Sequence, residues 1–204
     1  MDKNCPFCDH SKFEERLVGS IGSFNVIATL GQISEGGYLL LVSKEHTSCL
    51  GATPDTRELA GAIAHVEVAL AKTYAQRSVT LFEHGIVGQT VLHAHLHLLP
   101  EAVAIGERVR KDFPAHHVEQ FADFHTFRFA YALEQKPYLL WREPGQKLSV
   151  CWNPPAIPQY LRIVVAETLG KPERANWRTM DPMLDRKLYT ETVARLKPHL
   201  SQGA

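Results

Sequence analysis

Gly88-Gln89-Thr90-Val91-Leu92-His93-Ala94-His95-Leu96-His97-Leu98-Leu99-Pro100 places a histidine at every second position between an apolar lead-in and a proline. Successive side chains of a strand point to opposite faces, so His93, His95 and His97 share one side and Ala94, Leu96 and Leu98 the other. The pattern predicts a strand over 90–99 that Pro100 stops. Imidazole is the side chain whose proton affinity lies nearest physiological pH. One ring of such a row can attack phosphorus while a neighbour donates a proton or a hydrogen bond to a phosphate oxygen. Rings on one face are also good metal ligands, and the spacing alone leaves metal site and nucleophile as open alternatives.

Outward from this stretch, 24–28 and 38–42 read as strands, the second preceded by the turn residues Gly36-Gly37. Thr53-Pro54 opens a helix with a capping hydroxyl and an early proline. Leu59, Ile63, Val66, Leu70 and Tyr74 then recur at helical spacing and define one apolar face. A short strand over 79–82 and a loop over 83–88 lead into the histidines. Strand, strand, helix, strand, strand, with no crossover helix inside either pair, predicts an α+β fold on a largely antiparallel sheet. Beyond Pro100, 101–120 reads as a linker. The alternation of Phe127, Phe129, Tyr131 and Leu133 predicts a strand, and 138–142 and 147–152 flank Pro144-Gly145 as a hairpin. Helices are expected over 159–169, closed by Gly170 and Pro172, and over 185–196. The chain thus divides into a domain over 1–105 and a C-terminal α+β extension over 106–204 with three strands and two helices, packed on the first sheet or continuing it.

Lys+Arg and Asp+Glu are both 22, so the formal net charge is zero and the basic excess of a non-specific nucleic-acid binder is missing. The first residues lack an apolar core of signal-peptide length and no run is long enough for a membrane span, so a cytoplasmic protein without membrane partners is expected. Four cysteines are too few for a disulfide scaffold. Cys49 and Cys151 read as small buried hydrophobes. Cys5-Pro6-Phe7-Cys8 has zinc-ligand spacing, and only four residues precede it, too few for the strand that a redox pair would follow. Around 169–178, Arg174, Trp177 and Arg178, with Arg162 upstream, read as a solvated helix end rather than an RNA grip, which makes RNA a disfavoured partner.

The 88–100 stretch resembles the signature of the histidine triad (HIT) family, a Gly-Gln-Ser/Thr-Val lead-in, three alternating histidines and an apolar pair. Gly37-Tyr38-Leu39-Leu40-Leu41-Val42-Ser43-Lys44-Glu45-His46 resembles that family's upstream strand and loop, with Tyr38 in place of a frequent histidine and Ser43 in place of a proline; Ile33 also replaces a usual proline. The resemblance covers roughly residues 5–100. It implies a HIT-like fold and a nucleotide hydrolase acting at the α-phosphate of a phosphoramidate, dinucleoside polyphosphate or related conjugate. His95 would form the nucleotidyl-histidine intermediate, with His97 and Gln89 at the phosphate. Phe24, Val26 and Ile27 would line the base and ribose pocket, and Thr90 and Val91 would add backbone donors. A nucleotidyltransferase, or a zinc-stabilised nucleotide- or RNA-binding module with little turnover, is the alternative; retention of His97 favours hydrolysis. The similarity to zinc-bearing members implies a structural zinc on Cys5, Cys8, His46 and His93, and the family habit implies a homodimer. Glu83-His84-Gly85 is similar to a loop of the CwfJ-like branch, where His84 either reaches the phosphate or is an exposed loop residue.

Overall fold

The computed structural model describes residues 5–54, 56–74 and 78–200. Its strands are β1 (Leu17–Ile21), β2 (Phe24–Ala28), β3 (Leu39–Ser43), β4 (Thr80–Gly85), β5 (His95–Leu99), β6 (Val118–Phe121), β7 (Tyr138–Arg142) and β8 (Leu148–Trp152). The longer helices are α1 (Thr56–Thr73), α2 (Gly106–Asp112), α3 (Phe124–Glu134), α4 (Tyr160–Thr168) and α5 (Pro182–Leu200). The strands form one sheet in the order β1-β2-β3-β5-β4-β7-β8-β6, antiparallel at every pairing. The fold is α+β, as expected. The C-terminal half continues the sheet through the pairing of β4 with β7, from Leu81 opposite Arg142 to Gly85 opposite Tyr138. No helix among the described residues is long and apolar enough to cross a membrane.

Alternation decides what each face of the sheet buries. Val26, Leu41, Leu81, Leu96, Leu98 and Leu140 point to the side covered by α1, α3 and α5. There α1 contributes Leu59, Ile63, Val66 and Leu70, the stripe expected from its spacing; burying each such side chain stabilises by about 1.5–3 kcal/mol. The opposite side is covered by two separate bodies. Helices α2 and α4 pack Val109, Leu161 and Val165 against Phe82, Leu139 and Trp141. The N-terminal segment packs Phe13 against Ile27, Leu40 and Val42. Between these bodies the sheet is left open over β5 and the end of β4.

Four sequence expectations need correction. Residues 127–133 are helical, within α3. Asp123 caps its first turn through the Thr126 amide at 2.8 Å, and Thr126 answers in a capping box. Phe124, Phe127 and Tyr131 face the core at helical spacing while Phe129 and Leu133 are exposed, so the apparent alternation joined residues of opposite faces. The supposed linker 101–120 holds α2 and most of β6, which leaves three C-terminal strands but four helices. Strand β4 runs on through Glu83, His84 and Gly85, which were assigned to a loop. Strand β5 begins only at His95; His93 and Ala94 are held instead by the 43–47 loop, where the Ala94 amide donates to Thr47 O at 2.7 Å and the Ser43 amide donates to Ala94 O at 3.2 Å.

Candidate active site

The open part of the sheet is a cavity of about 170 Å³. Its floor holds His95 and His97 of β5, His84 of β4 and Leu40 of β3. One wall is the N-terminal segment, with Pro6, Phe7, Lys12 and Arg16. Gln159, Arg162 and Trp177 line another part, Thr29 and Leu30 a third, and the β4–β5 loop closes one side with Gly88, Gln89, Thr90 and Val91. That loop is tightly built. Ile86, a β-branched residue, sits at φ +78°, and Gln159, at the start of α4, at φ +64°. Strained backbone of this kind persists where the surroundings over-determine it, and often beside functional sites. The Gln159 amide donates to Gly88 O at 2.8 Å. Gly88 itself has φ +72°, and a Cβ there would stand 2.8 Å from the Ile157 carbonyl. Glycine is what lets the loop and α4 approach so closely.

Hydrogen bonds assign the proton on each ring. His95 Nδ1 lies 2.5 Å from the His93 carbonyl. A carbonyl only accepts, so Nδ1 carries the hydrogen and Nε2 is left with a lone pair. His97 is set the other way. Its Nδ1 is 2.7 Å from Tyr38 Oη, and the Arg162 guanidinium lies 3.2 Å from the same oxygen. A guanidinium only donates, so Tyr38 accepts from Arg162; its own hydrogen has no other acceptor among the described residues, so it goes to His97 Nδ1 and leaves the hydrogen of His97 on Nε2. Phe82, directly opposite on β4, stacks on His97 at 4.4 Å and 6° and fixes the ring plane. His84 Nε2 accepts the Leu161 amide at 3.0 Å, so its hydrogen is on Nδ1. The His95 and His97 rings, 5.1 Å apart, thus present one acceptor and one donor nitrogen.

Electrostatics keep these rings neutral. Burial is the main cause in each case. It brings His95 down to about 4, with His93 and Arg162 adding to the effect against the His93 carbonyl. His84 is brought down to about 3 by burial, with His95 and Arg162 contributing. His97 lies well below its ordinary value, through burial and then His95, His84 and Arg162. A neutral His95 keeps its lone pair at physiological pH. Tyr38 is pushed up to about 12 by burial, so it stays the proton donor that His97 requires.

Cys5, Cys8, His46 and His93 form a second group, with one donor atom from each lying within 4.8 Å of all the others. Cys5 Sγ is 3.3 Å and Cys8 Sγ 3.7 Å from His93 Nδ1, and Cys8 Sγ is 3.3 Å from His46 Nδ1. His93 Nε2 donates to the Ser43 carbonyl at 2.7 Å, which turns Nδ1 toward the thiols. An imidazole held by an outer hydrogen bond, beside two thiols and a second imidazole, fits a metal ion. These four can hold one. Of the three motif histidines only His93 belongs to this group.

The structure brings Gln89, Thr90, Val91, His95 and His97 into the cavity. Gln89 Nε2 donates to Ser48 O at 3.1 Å, and its buried Oε1 has no partner among the described residues. Phe24 and Val26 lie on the other face of the sheet, under the helices, and Ile27 packs in the N-terminal cluster; none of the three lines the cavity. Arg162, read from sequence as part of a solvated helix end, is only 3% exposed. It is gripped by the carbonyls of Gly31 at 2.8 Å, Ala175 at 3.1 Å and Arg174 at 3.3 Å. A charge inside the apolar run Leu161-Arg162-Ile163-Val164-Val165 was the available signal. Arg16 gave no such signal; it is 7% exposed and donates to Ala28 O at 3.0 Å and Lys12 O at 3.1 Å. Cys49 and Cys151 are fully buried, as expected.

No protein-family model and no curated protein sequence matches the chain. Among solved structures it is similar to yeast Ap4A phosphorylase in complex with AMP, at 14% identity and a TM-score of 0.45, over 91% of this chain and 79% of that one.

Proposed function

We propose that this protein is a HIT-type nucleotide hydrolase in which His95 Nε2 attacks the α-phosphorus of a nucleotide conjugate and water then releases the nucleotide. The observation that carries the reading is the pair of opposite ring assignments. His95 offers a lone pair, and His97 beside it offers an N–H.

In the first step the His95 Nε2 lone pair bonds to phosphorus and the bond from phosphorus to the leaving atom breaks, its electron pair departing with the leaving group, an oxygen as its anion and an amine nitrogen with a proton taken from solvent. His95 becomes an imidazolium-like adduct whose Nδ1 hydrogen is already directed at the His93 carbonyl, an acceptor that favours positive charge on the ring. His97 Nε2–H hydrogen-bonds a phosphoryl or leaving-group oxygen as negative charge builds there. In the second step water bonds to phosphorus, the P–N bond breaks, the pair returns to Nε2, and one water proton passes to solvent. The orphaned Oε1 atoms of Gln89 and Gln159 suit hydroxyl or amino donors of the nucleoside.

The metal group is read as a structural zinc site. When bound, zinc would cross-link the N-terminal wall to the 43–47 loop and to His93, whose carbonyl orients the nucleophile. The test is intact-protein mass spectrometry at neutral pH after incubation with a nucleoside phosphoramidate and a dinucleoside polyphosphate. A gain of one nucleotidyl group, located on His95 and absent from His95→Ala, is expected. Turnover that survives in His95→Ala would refute the assignment.

A further inference from the structure

The cavity contains more positive charge than attack at one phosphate requires. Arg162 is buried in one wall, and no carboxylate lies within 4.0 Å of it among the described residues; neutral oxygens hold it. Arg16 is buried at the same cavity, also held by carbonyls. Glu15 and Asp185 act on Arg16 at longer range, but Glu15 accepts from Tyr189 Oη at 3.1 Å and Asp185 from the Gly31 and Gln32 amides at 2.9 and 3.1 Å. Lys12, exposed, lines the same wall as Arg16. Burying a guanidinium without a paired carboxylate is costly, and a site that does so twice around one cavity is prepared for an anion. Arginine presents its donors in a planar fork suited to phosphate oxygens.

We infer that Arg16 and Lys12, which line the same cavity as Arg162, form a second anion subsite that takes a phosphoryl group beyond the one attacked by His95. The preferred substrates are then conjugates whose leaving group is itself a phosphate chain. This rests on the reading of His95 as the attacking group. The ring assignments point the same way. An amine leaving group needs a proton, and neutral His97 could give its Nε2 hydrogen only by becoming an imidazolate. A phosphate leaving group departs as an anion and needs only a hydrogen bond.

The test is calorimetric titration with inorganic tripolyphosphate and with orthophosphate on the full chain. Tripolyphosphate should bind at least about tenfold more tightly than orthophosphate, Arg16→Gln should weaken it about tenfold or more, and exposed Lys12→Gln, which touches no core packing, should weaken it severalfold. In wild-type turnover, kcat/KM for a dinucleoside tetraphosphate should exceed that for a nucleoside phosphoramidate, and Arg16→Gln should shrink the ratio about tenfold. His95→Ala should keep tripolyphosphate affinity. Should wild type bind tripolyphosphate through Arg16 and Lys12 yet form no nucleotidyl adduct, the subsite stands and the hydrolase reading fails. Should the adduct form while tripolyphosphate binds no better than orthophosphate, or equally well to both variants, the subsite is overturned and the hydrolase reading survives.

Discussion

Replacing Tyr38 by Phe removes one oxygen that two groups share. His97 Nδ1 loses its 2.7 Å donor and one Arg162 N–H loses its 3.2 Å acceptor, while the ring that lies 5.3 Å from the guanidinium is kept. A neutral hydrogen bond contributes about 0.5–1.5 kcal/mol, and a buried donor left unpaired costs about 1–3 kcal/mol. Stability should therefore fall by about 2–4 kcal/mol, which lowers Tm by roughly 5–15 °C for a chain of this size. The catalytic effect has a different origin. Without Tyr38 nothing holds the hydrogen of His97 on Nε2, and in the proposed mechanism the donor to the phosphoryl oxygens is lost for the part of the population that carries it on Nδ1. Losing a prepared donor of this kind costs up to about 10²–10³ in kcat, and losing only its ring assignment should cost about 10–100-fold. Donation to Nδ1 also stabilises neutral His97, so its removal should shift the acid limb of the kcat profile to higher pH. Steady-state kinetics from pH 4 to 8, alongside thermal melts, separates the two effects. A variant with lowered Tm but kcat within twofold of wild type and an unmoved acid limb would refute the assignment of His97 as a fixed N–H donor.

Gly31→Ala should disturb the cavity from outside it. At φ +69° a Cβ would lie 2.6 Å from both the Arg162 guanidinium and Trp177 Cβ, so a raised KM and a loss of at least 1 kcal/mol by denaturant titration are expected. The buried histidines bind fewer protons folded than unfolded between their ordinary value of 6.5 and about 4 for His95 or about 3 for His84, so stability from this source is complete above 6.5 and is lost as pH falls through that window; Tm measured against pH checks it. Glu83 has the opposite sign. Burial raises it from 4.5 to about 8, so the folded state holds the extra proton and stability falls as pH rises between these values; Glu83→Gln, scored by the same melts, should flatten that alkaline slope. Metal removal by a chelator should lower Tm and reduce kcat in part, with recovery on adding zinc. Immediate and complete loss of turnover would indicate a catalytic metal instead.

The floor of the site was legible because period-two alternation is a local property. The imidazoles of His95 and His97 and the apolar set Ala94, Leu96 and Leu98 separate as a strand requires, and spacing marked the Cys-x-x-Cys pair, while His46 and His93 joined it only through the family resemblance. The two arginine-bearing parts of the wall were not legible, nor was His84 in the floor, while Gln89, Thr90 and Val91 were named only through the resemblance. Arg16 and Arg162 are 146 positions apart and become neighbours of one cavity only through tertiary packing. His84 looked like a loop residue because Glu83, charged in isolation, is buried here by donors from the Leu50 amide at 2.7 Å and Tyr138 Oη at 2.6 Å. The helix α3 was misread because four aromatic and aliphatic residues alternate by accident, and the capping pair Asp123 and Thr126 was the signal passed over. The resemblance placed Phe24 and Val26 in a pocket, whereas strand register sends them to the far face.

The seam between β4 and β7 has a consequence for anyone dissecting this molecule. A fragment ending near residue 105 would retain every histidine of the motif and both thiols, yet it would surrender one whole bank of the cleft. It would also expose the flank of β4 that now pairs with β7 over five residues, an unpaired edge beside apolar side chains, which is the kind of margin on which chains aggregate. Both halves of the sequence supply residues to one cavity, and an inactive, insoluble half would say nothing about the role proposed for His95.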